Sequence, residues 1–319
     1  MISSKRTCLA ADIGGTNIYM GLVDEGGRIL ARQGFSTDSS RGPDLVMADI
    51  IRHLKVLAAE APRGRRPQGL AIGLPGWINQ AEGILVKAPN MPGWVNVPVA
   101  ETISRALGLP VFLENDCNLY ALGEWHGGAG RGLRHLLTLT LGTGVGGGLI
   151  IEEKLWYGAF ASAVEIGHQR VEPRGALCGC GGRGCLETIA SATGMARLGR
   201  EWLKKNKETL YRGRPDQLTP KVMFDLARQG DPMSLAVFRR AGEVLGLVLA
   251  GVFNLLGLEG VIIGGGAAGA FEFIRPRLWE VMSRAIVVAD PARLKLVRGE
   301  LGEDAPLAGA PALIRALTS

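Results

Sequence analysis

The chain carries one structural device twice, and this repetition limits the folds open to it. Leu9 to Val23 is an apolar run, a Gly/Thr turn and a second apolar run, and Leu137 to Ile151 repeats the pattern. Each copy continues through a polar turn into a third apolar run, which predicts two β-meanders with a glycine-rich first turn. A duplicated unit predicts two similar domains. Chance likeness between two glycine-rich turns is the alternative.

Glycine is the unusual component of the composition. It supplies 47 of 319 residues, about twice its ordinary share. The glycines cluster at 14–15, 142–148, 179–184 and 264–269 without a three-residue period, which excludes collagen. Clustered glycine indicates tight turns or close backbone approach. An apolar fraction of 47% and a charged fraction of 21% exclude disorder as the main state.

The length of 319 residues predicts two domains or one large α/β unit, and hydrophobic periodicity predicts its helices and strands. Helices are predicted over 43–61, 99–107, 117–125, 187–205, 221–228, 232–256, 271–287 and 308–317, and strands over 69–74, 110–113 and 261–263. We place a boundary near residue 118. This divides a smaller α/β domain, 1–118, from a larger α/β domain, 119–302. We expect 303–319 to return to the first domain, although periodicity does not show this.

Charge and cysteine content exclude several classes of protein. The excess of 36 Lys and Arg over 30 Asp and Glu is scattered along the chain. The sequence lacks a basic helix with interleaved aromatic residues, which is the pattern that would predict nucleic acid binding. The longest apolar stretch, Val244 to Leu258, is too short to span a bilayer. No signal peptide is recognisable, and an odd count of five cysteines is not a secreted disulfide framework. We expect a cytoplasmic homo-oligomer, a dimer or tetramer, without nucleic acid or membrane partners.

The segment Asp12 to Thr16 predicts a phosphate-binding turn. Gly14 and Gly15 let backbone N–H groups face a phosphate, and Thr16 adds a hydroxyl donor. Asp12 and a phosphate are both anionic, so we expect Asp12 to act through a magnesium ion and its waters. The Lys-Ser/Thr ending of a Walker A loop is missing. A bare hairpin turn is the alternative.

Two further glycine segments predict nucleotide contacts. The turn within 141–148 predicts a second phosphate grip, contributed by Gly142, Thr143, Gly144, Gly146 and Gly147. Two such turns, one in each half, would hold a triphosphate from both sides. Gly264, Gly265 and Gly266 follow a buried strand and admit a flat ring or a phosphate. Plain turns are the alternative in both places.

Asp116 is the candidate general base. It lies at or near the N-terminus of the helix predicted from Cys117, where the helix dipole favours an ionised carboxylate. An ionised Asp can accept a hydroxyl proton during phosphoryl transfer, in which positioning matters more than basicity. A helix N-cap is the commoner use of Asp at such a place. On this basis alone, Asn115 has no assigned role.

A cysteine-rich loop provides the clearest metal signal. His168, Cys178, Cys180 and Cys185 form a Cys₃His set, which suits closed tetrahedral zinc. A closed site has no vacant position, so we expect a structural zinc. Three free cysteines in a glycine-rich loop are the alternative. Glu165 and Glu187 flank the set, either as surface carboxylates or carried beside His168 by the folded loop.

The combined motifs resemble the sugar kinases of the ROK family, whose name stands for repressors, open reading frames and kinases. The likeness covers essentially the whole chain and is carried by residues 10–24, 73–78, 88–94, 111–124, 139–150, 164–169, 178–191 and 262–266. It implies the actin-like, ribonuclease H-like, duplicated two-domain ATPase fold. It also implies that ATP and a hexose meet in the interdomain cleft.

The resemblance assigns a role to each candidate residue. Asp116 becomes the catalytic base. The resemblance implies that the sugar hydroxyls are bound by Asn90, Asn115, Asp116, Glu165, His168 and Glu187. It also implies that residues 14–16 and 142–148 bind the ATP phosphates and that residues 264–266 contact the nucleoside. His168 would serve both zinc and sugar.

Within the family, the form of the cysteine motif resembles glucokinases and N-acetylmannosamine kinases, and we expect glucose. Val164 stands where a glycine is usual, which puts the substrate in doubt more than the activity. A sugar-responsive repressor is the main alternative. Repressors of this family carry a DNA-binding region before the first phosphate motif, and here the first strand begins near Thr7. A chaperone-like or cytoskeletal ATPase would not need the zinc loop.

Overall fold

The computed structural model describes residues 6–62, 66–159, 164–205, 208–287 and 290–318. The chain divides into two compact units. Unit 1 contains the chain up to Gly132 and from Glu300 onward, and unit 2 runs from Leu133 to Gly299.

Unit 1 is an α/β unit built on a mixed sheet. Its strands are β1 (Thr7–Ile13), β2 (Asn17–Asp24), β3 (Ile29–Ser36), β4 (Leu70–Leu74), β5 (Trp77–Asn79), β6 (Ile84–Lys87), β7 (Val95–Val97) and β8 (Val111–Asn115). Its helices are α1 (Pro43–Ala59), α2 (Val99–Leu107), α3 (Asp116–Gly127) and α9 (Ala305–Thr318). The sheet order is β3-β2-β1-β4-β8, and β5, β6 and β7 form a separate small antiparallel sheet.

Unit 2 is also an α/β unit. Its strands are β9 (Leu136–Leu141), β10 (Val145–Ile151), β11 (Lys154–Leu155), β12 (Gly260–Gly264) and β13 (Lys295–Arg298). Its helices are α4 (Glu187–Ala190), α5 (Ala192–Lys204), α6 (Pro220–Ala227), α7 (Pro232–Leu256) and α8 (Phe271–Ala285). The sheet order is β11-β10-β9-β12-β13.

The two large sheets repeat one topology. In each, three strands form an antiparallel meander, and two parallel strands extend the sheet beyond the first strand of that meander. The pairs β1–β2 and β9–β10 are the two segments whose sequence pattern repeats. The predicted duplication of an α/β meander unit is therefore confirmed, and both glycine-rich turns join equivalent strands.

The observed division of the chain lies at Gly132–Leu133, later than the boundary expected near residue 118. Helix α3 packs against α9 and therefore belongs to unit 1. An added Cβ at Gly123 would overlap the carbonyl of Ala305, and one at Gly309 would overlap the carbonyl of Leu119. Glycines that permit so close a helix crossing carry no periodic hydrophobic signal, which is why the sequence pattern placed the boundary too early.

One predicted helix is corrected, and one small sheet is new. The helix predicted over 187–205 is broken at Ser191, where the backbone is extended. The Ser191 hydroxyl caps α5 by accepting a hydrogen bond from the N–H of Gly194 at 2.9 Å. The small sheet β5-β6-β7 was not predicted, because its strands are three or four residues long. The helices predicted over 99–107 and 232–256 are confirmed at both ends.

Helix α7, which holds the longest apolar stretch, buries one long face in the core of unit 2. Over the described part of the chain, every helix falls short of the length and apolarity needed to cross a membrane.

A buried carboxylate fastens α3 within unit 1. Glu124 is fully buried. One oxygen accepts from the N–H of Leu301 at 2.9 Å and the Tyr120 hydroxyl at 3.3 Å. The other accepts from the N–H groups of Ala129 at 3.0 Å and Glu300 at 3.1 Å. Each oxygen thus serves two donors, and the carboxylate joins helix α3 to the chain on both sides of unit 2.

Replacing Glu124 by Gln tests this anchor. An amide has one acceptor oxygen, so either orientation turns an NH₂ group toward at least one backbone N–H that donates to the carboxylate, either that of Leu301 or those of Ala129 and Glu300. We expect the free energy of unfolding to fall by about 3 kcal/mol. Urea denaturation measures the change. The matched control is Glu101→Gln, which affects an exposed pair with Arg105 and is expected to cost no more than about 0.5 kcal/mol. Equal midpoints for the two variants would refute the anchoring role.

Candidate active site

Acidic residues gather where three neighbouring strands of unit 1 end. Asp12 on β1 is in register with Gly73 on β4, and Gly73 is in register with Glu114 on β8. These strands are parallel, so their carboxyl ends lie at one edge of the sheet, where α/β sheets bind ligands. A Cβ added at Gly73 would lie 3.2 Å from Oδ1 of Asp12 and 3.4 Å from Cα of Asp116. Gly73 therefore leaves the space across which Asp12 and Asp116 approach.

The electrostatics of Asp12 indicate a cation site. Burial and, to a smaller extent, the negative charges of Asp116 and Glu303 together raise the pKa of Asp12 to about 8. A carboxyl group with this surrounding ionises readily at neutral pH only beside a positive charge. Hard oxygen ligands with few carboxylates are the donor set that Mg²⁺ prefers. The residues present fit magnesium.

The glycine turn of unit 1, where a phosphate-binding turn is predicted, is held by its own backbone and by a buried threonine. The N–H of Gly14 donates to the carbonyl of Asn17 at 3.0 Å, and the Thr37 hydroxyl donates to the carbonyl of Gly14 at 2.6 Å. The N–H of Thr37 donates to the carbonyl of Thr16 at 2.9 Å. Asn90 lies against this turn: a Cβ added at Gly15 would be 3.0 Å from the carbonyl oxygen of Asn90.

Asn115, and not Asp116, caps helix α3. The Asn115 Oδ1 accepts from the N–H groups of Cys117 at 3.0 Å and Asn118 at 3.4 Å, with Asn115 in an extended conformation. Asp116 is the first helical residue, and its Oδ1 also accepts from the N–H of Cys117, at 2.9 Å. The alternative that Asp116 serves as the N-cap is therefore wrong. Its half-buried carboxylate lies in the positive end of the helix dipole.

Glu114 and Gln80 are site residues that the sequence analysis missed. The Glu114 carboxylate is buried and accepts from Gln80 Nε2, Asn118 Nδ2 and the N–H of Asn115, each at 2.9 Å. It thereby fixes the turn from β8 into α3 that presents Asp116. A lone acidic residue ending an apolar strand was the signal available in the sequence.

In unit 2 the second glycine turn is anchored by helix α5. The N–H of Gly142 donates to the carbonyl of Gly144 at 3.0 Å, and the N–H of Ala192 donates to the carbonyl of Gly142 at 2.8 Å. The Thr193 hydroxyl donates to the carbonyl of Thr143. Residues 142–144 form the turn itself, while Gly146 and Gly147 lie within β10, paired with β9.

The glycines after β12 lie beside this turn. Gly264 is in register with Thr140, at the end of β9. Gly265 has a φ of +82°, and a Cβ there would be 2.6 Å from the carbonyl oxygen of Leu141. Only glycine suits this conformation and this close approach. Gly266 has open space at the position of its missing Cβ. Segments 142–144 and 264–266 thus line one edge of the unit 2 sheet.

Glu187 joins the glycine turn to the cysteine loop. Its Oε2 accepts from the N–H of Val145 at 3.1 Å, and its Oε1 lies 3.5 Å from Sγ of Cys178. A side chain on Gly144 would overlap the Glu187 carboxylate. Glu187 is therefore a positioned group at the start of α4 rather than a loose surface carboxylate.

The predicted zinc ligands converge. The ligand atoms of His168, Cys178, Cys180 and Cys185 all lie within 4.8 Å of one another. Nδ1 of His168 is 3.6 Å from Sγ of Cys178, and the sulfurs of Cys180 and Cys185 are 3.7 Å apart. A tetrahedral site with metal–sulfur bonds of about 2.3 Å has edges of about 3.7 Å. The donor set and spacing fit zinc.

The loop around these ligands is folded tightly. The N–H of Cys178 donates to the carbonyl of Gly182 at 2.8 Å, and a side chain on Gly184 would overlap the backbone of Glu172. Burial raises the pKa of the Cys178 thiol to about 12, while a hydrogen bond from the backbone of Gly182 lowers the pKa of Cys180. A buried thiol of this kind becomes a thiolate at neutral pH beside a cation.

His168 presents its two nitrogens in different directions. Nδ1 lies toward Cys178, and Nε2 lies 3.8 Å from Oε2 of the exposed Glu165. The same ring can thus contribute one nitrogen to the cysteine cluster and offer the other outside it. The structure brings Glu165, His168 and Glu187 together around the cysteine loop of unit 2, and Asp12, Asn90, Asn115 and Asp116 together around the sheet edge of unit 1.

Known proteins resemble the whole chain. The profile of the ROK family matches residues 8–316. A glucokinase of Thermotoga maritima is 39% identical over 314 residues, with 98% of both chains covered. A glucokinase of Halalkalibacterium halodurans is 35% identical over 319 residues, with 98% of this chain and 96% of the relative covered.

A solved structure extends the likeness to three dimensions. The crystal structure of a ROK family glucokinase from Streptomyces griseus, in complex with glucose and AMPPNP, has a TM-score of 0.79 and 33% identity. The match covers 97% of this chain and 99% of the other. The duplicated sheets match the actin-like fold that the resemblance implied. The chain belongs to the ROK family.

Proposed function

We propose that this chain transfers the γ-phosphoryl group of ATP to a hexose, namely to the 6-hydroxyl of glucose. The observation that carries the proposal is Asp116, presented at the carboxyl end of the unit 1 sheet beside Asp12 and the phosphate turn. The glucokinases among its relatives, and the glucose and AMPPNP bound by the S. griseus enzyme, support the same donor and acceptor.

Asp116 acts as the general base. The helix dipole favours its ionised form, and Asn115 supplies the helix cap. The Asp116 carboxylate accepts the proton of the sugar hydroxyl as the oxygen attacks the γ-phosphorus. Because the transition state of phosphoryl transfer is loose, orientation of the hydroxyl contributes more than basicity. The hydrogen bonds of Glu114 with Gln80 and Asn118 hold the turn that carries Asp116, and Asp116 in turn orients the hydroxyl.

Asp12 would hold magnesium through its coordinated waters. When bound, the ion neutralises charge on the ATP phosphates. The N–H groups of Gly14 and Gly142 close their own turns, and the phosphates are contacted by the backbone N–H groups of the following residues, 15–16 and 143–144. Gly264 to Gly266 admit the nucleoside. Gly146 and Gly147, which lie in β10, shape the turn and contact ATP less directly.

The sugar hydroxyls are bound by Asn90, Asn115, Glu165, His168 and Glu187. Carboxylate and imidazole groups accept or donate hydrogen bonds to hydroxyls at fixed positions. A site that hydrogen-bonds a substrate hydroxyl strongly rejects an analogue that lacks this hydroxyl, but it discriminates less against an analogue that only carries an additional group. The competing substrates are therefore N-acetylmannosamine and other hexoses. A panel of hexoses with coupled ADP detection distinguishes these substrates.

The setting of the enzyme follows from the same chemistry. ATP is a cytoplasmic donor, and none of the described cysteines forms a disulfide, which suits a reducing compartment. We place the activity in the cytoplasm. The dimer or tetramer expected from the sequence stays a prediction.

Asp116→Asn tests the base directly. Asn keeps the shape of the side chain and an oxygen for the N–H of Cys117, but it cannot take the proton. We expect kcat to fall by about 10²–10⁴-fold, with sugar affinity and melting temperature little changed. Phosphorus NMR of the product with glucose and ATP measures the loss. The matched control is Asp44→Asn, in the first turn of α1, where the side chain is exposed.

More than half of the wild-type kcat in Asp116→Asn would exclude Asp116 as the base. Failure of every hexose in the panel to raise ATP turnover by the wild-type protein would overturn the kinase proposal itself.

Zinc content tests the Cys₃His site. We expect about one zinc per chain in protein purified without chelator. Cys180→Ala should remove the metal, lower the melting temperature by roughly 5–10 °C and weaken sugar binding, because metal binding is coupled to folding of the loop. Elemental analysis and thermal denaturation provide both readouts. Cys8→Ala is the control, since Cys8 is a buried thiol of β1 outside the cluster. Active wild-type protein with a stoichiometry near zero would contradict a structural zinc.

A further inference from the structure

Val164 holds a backbone conformation that its side chain disfavours. Its φ is +69°, in the left-handed region. The other described non-glycine residues with positive φ are Asp38, Asn96, Glu152 and Glu153, none of which is β-branched. A β-branched residue in this region is a true outlier and costs about 1–3 kcal/mol. Some contact must offset that cost, and Val164 directly precedes Glu165.

The compensating contact is with Gly147 on β10. A Cβ built on Gly147 would lie 2.7 Å from Cγ1 of Val164 and 3.3 Å from Cγ2 of Ile166. The Val164 side chain therefore occupies the space that the absent side chain of Gly147 leaves. Val164 is half-buried and packs against the core of unit 2, and Gly147 is buried. The glycine in β10 and the valine in the turn form a complementary pair.

The other end of the same turn also rests on β10. A side chain on Gly167 would overlap the carbonyl of Val145. Val145 and Gly147 are two residues apart and lie on one face of the strand. Through its N–H, Val145 also donates to Glu187. The turn from Val164 to His168 is thus seated on β10 at both ends, with Glu165 and His168 between or beside the two contacts.

We propose that Val164 is a positioning residue that sets sugar affinity by holding the turn of Glu165 and His168 against β10. The proposal rests on the proposed function, because it takes Glu165 and His168 as sugar ligands. A glycine would adopt the left-handed conformation freely, whereas valine is retained in it by packing on Gly147. Loss of the γ-methyl groups removes the contact but leaves a Cβ that still disfavours the conformation. The turn then leaves the strand for part of the time.

Val164→Ala removes the packing contact, and Val164→Thr is the control that keeps the branched shape. We expect Val164→Ala to raise KM for the sugar about tenfold, corresponding to loss of about 1.4 kcal/mol of positioning. Its kcat, its KM for ATP and its zinc content should stay within about twofold of wild type. Val164→Thr should keep all four values near wild type. A general structural defect would instead alter kcat, zinc content and both KM values together, and that result would overturn the proposal.

A methyl exchange provides the second test. Gly147→Ala alone forces a methyl group onto Val164 and should raise KM for the sugar. Combined with Val164→Ala, it returns a methyl group to the space that Val164 vacates, so the double variant should recover sugar affinity to within about threefold of wild type. Non-additivity of this kind identifies residues in direct contact. A double variant that is worse than both single variants would refute the pairing.

Hydrogen exchange separates this proposal from the kinase proposal. Inside the turn, the N–H of His168 donates to the carbonyl of Glu165 at 3.0 Å, and that of Gln169 to the carbonyl of Ile166 at 3.2 Å. We expect about tenfold faster exchange of these two amides in Val164→Ala and unchanged exchange in Val164→Thr. This readout needs no sugar. Wild-type exchange in Val164→Ala would overturn the positioning role, whichever substrates the wild-type protein accepts.

Discussion

Desolvation of Asp12 and its repulsion by the neighbouring Asp116 carboxylate, at the edge of the unit 1 sheet, are the constraint around which this site is built. The register of β1, β4 and β8 brings Asp12 toward Asp116, and Gly73 leaves the room for it. Burial and like charge raise the pKa of Asp12 to about 8. A bound cation would favour the ionised form of both carboxylates, which is why this edge of the sheet suits the magnesium role proposed for Asp12.

Strand β10 has the corresponding role in unit 2. Its first residue, Val145, bonds to Glu187 and abuts Gly167, and Gly147 receives Val164. The same strand begins directly after the second glycine turn, 142–144. The second glycine turn, Glu187 and the segment with Glu165 and His168 are therefore all held through contacts of a single strand. The cysteine cluster lies next to the segment with Glu165 and His168. His168 in that segment and the cysteines of the loop 178–185 place their ligand atoms within 4.8 Å of one another.

Several parts of this picture were predictable from local pattern. Glycine clusters after apolar runs marked the turns, and a Cys₃His set within a short stretch marked the cluster of potential zinc ligands, because both signals reside in neighbouring residues. The cap of α3 was missed, since Asn and Asp cap helices about equally well and the order Asn115-Asp116 fits both choices. The division of the chain was placed too early, because the contact of α3 with α9 joins residues that are distant in sequence.

The sequence by itself determined the duplicated meander and both glycine turns, and it singled out the candidate base and the Cys₃His set, since each depends on residue types at short spacing. Only the tertiary structure decided which atoms meet. It showed Glu114 orienting the turn before Asp116, Glu124 fastening α3, and Val164 seated on Gly147 in a strained conformation. These contacts join strands, helices and turns that are far apart in the chain. Their strength comes from burial and exact fit, which no periodicity encodes.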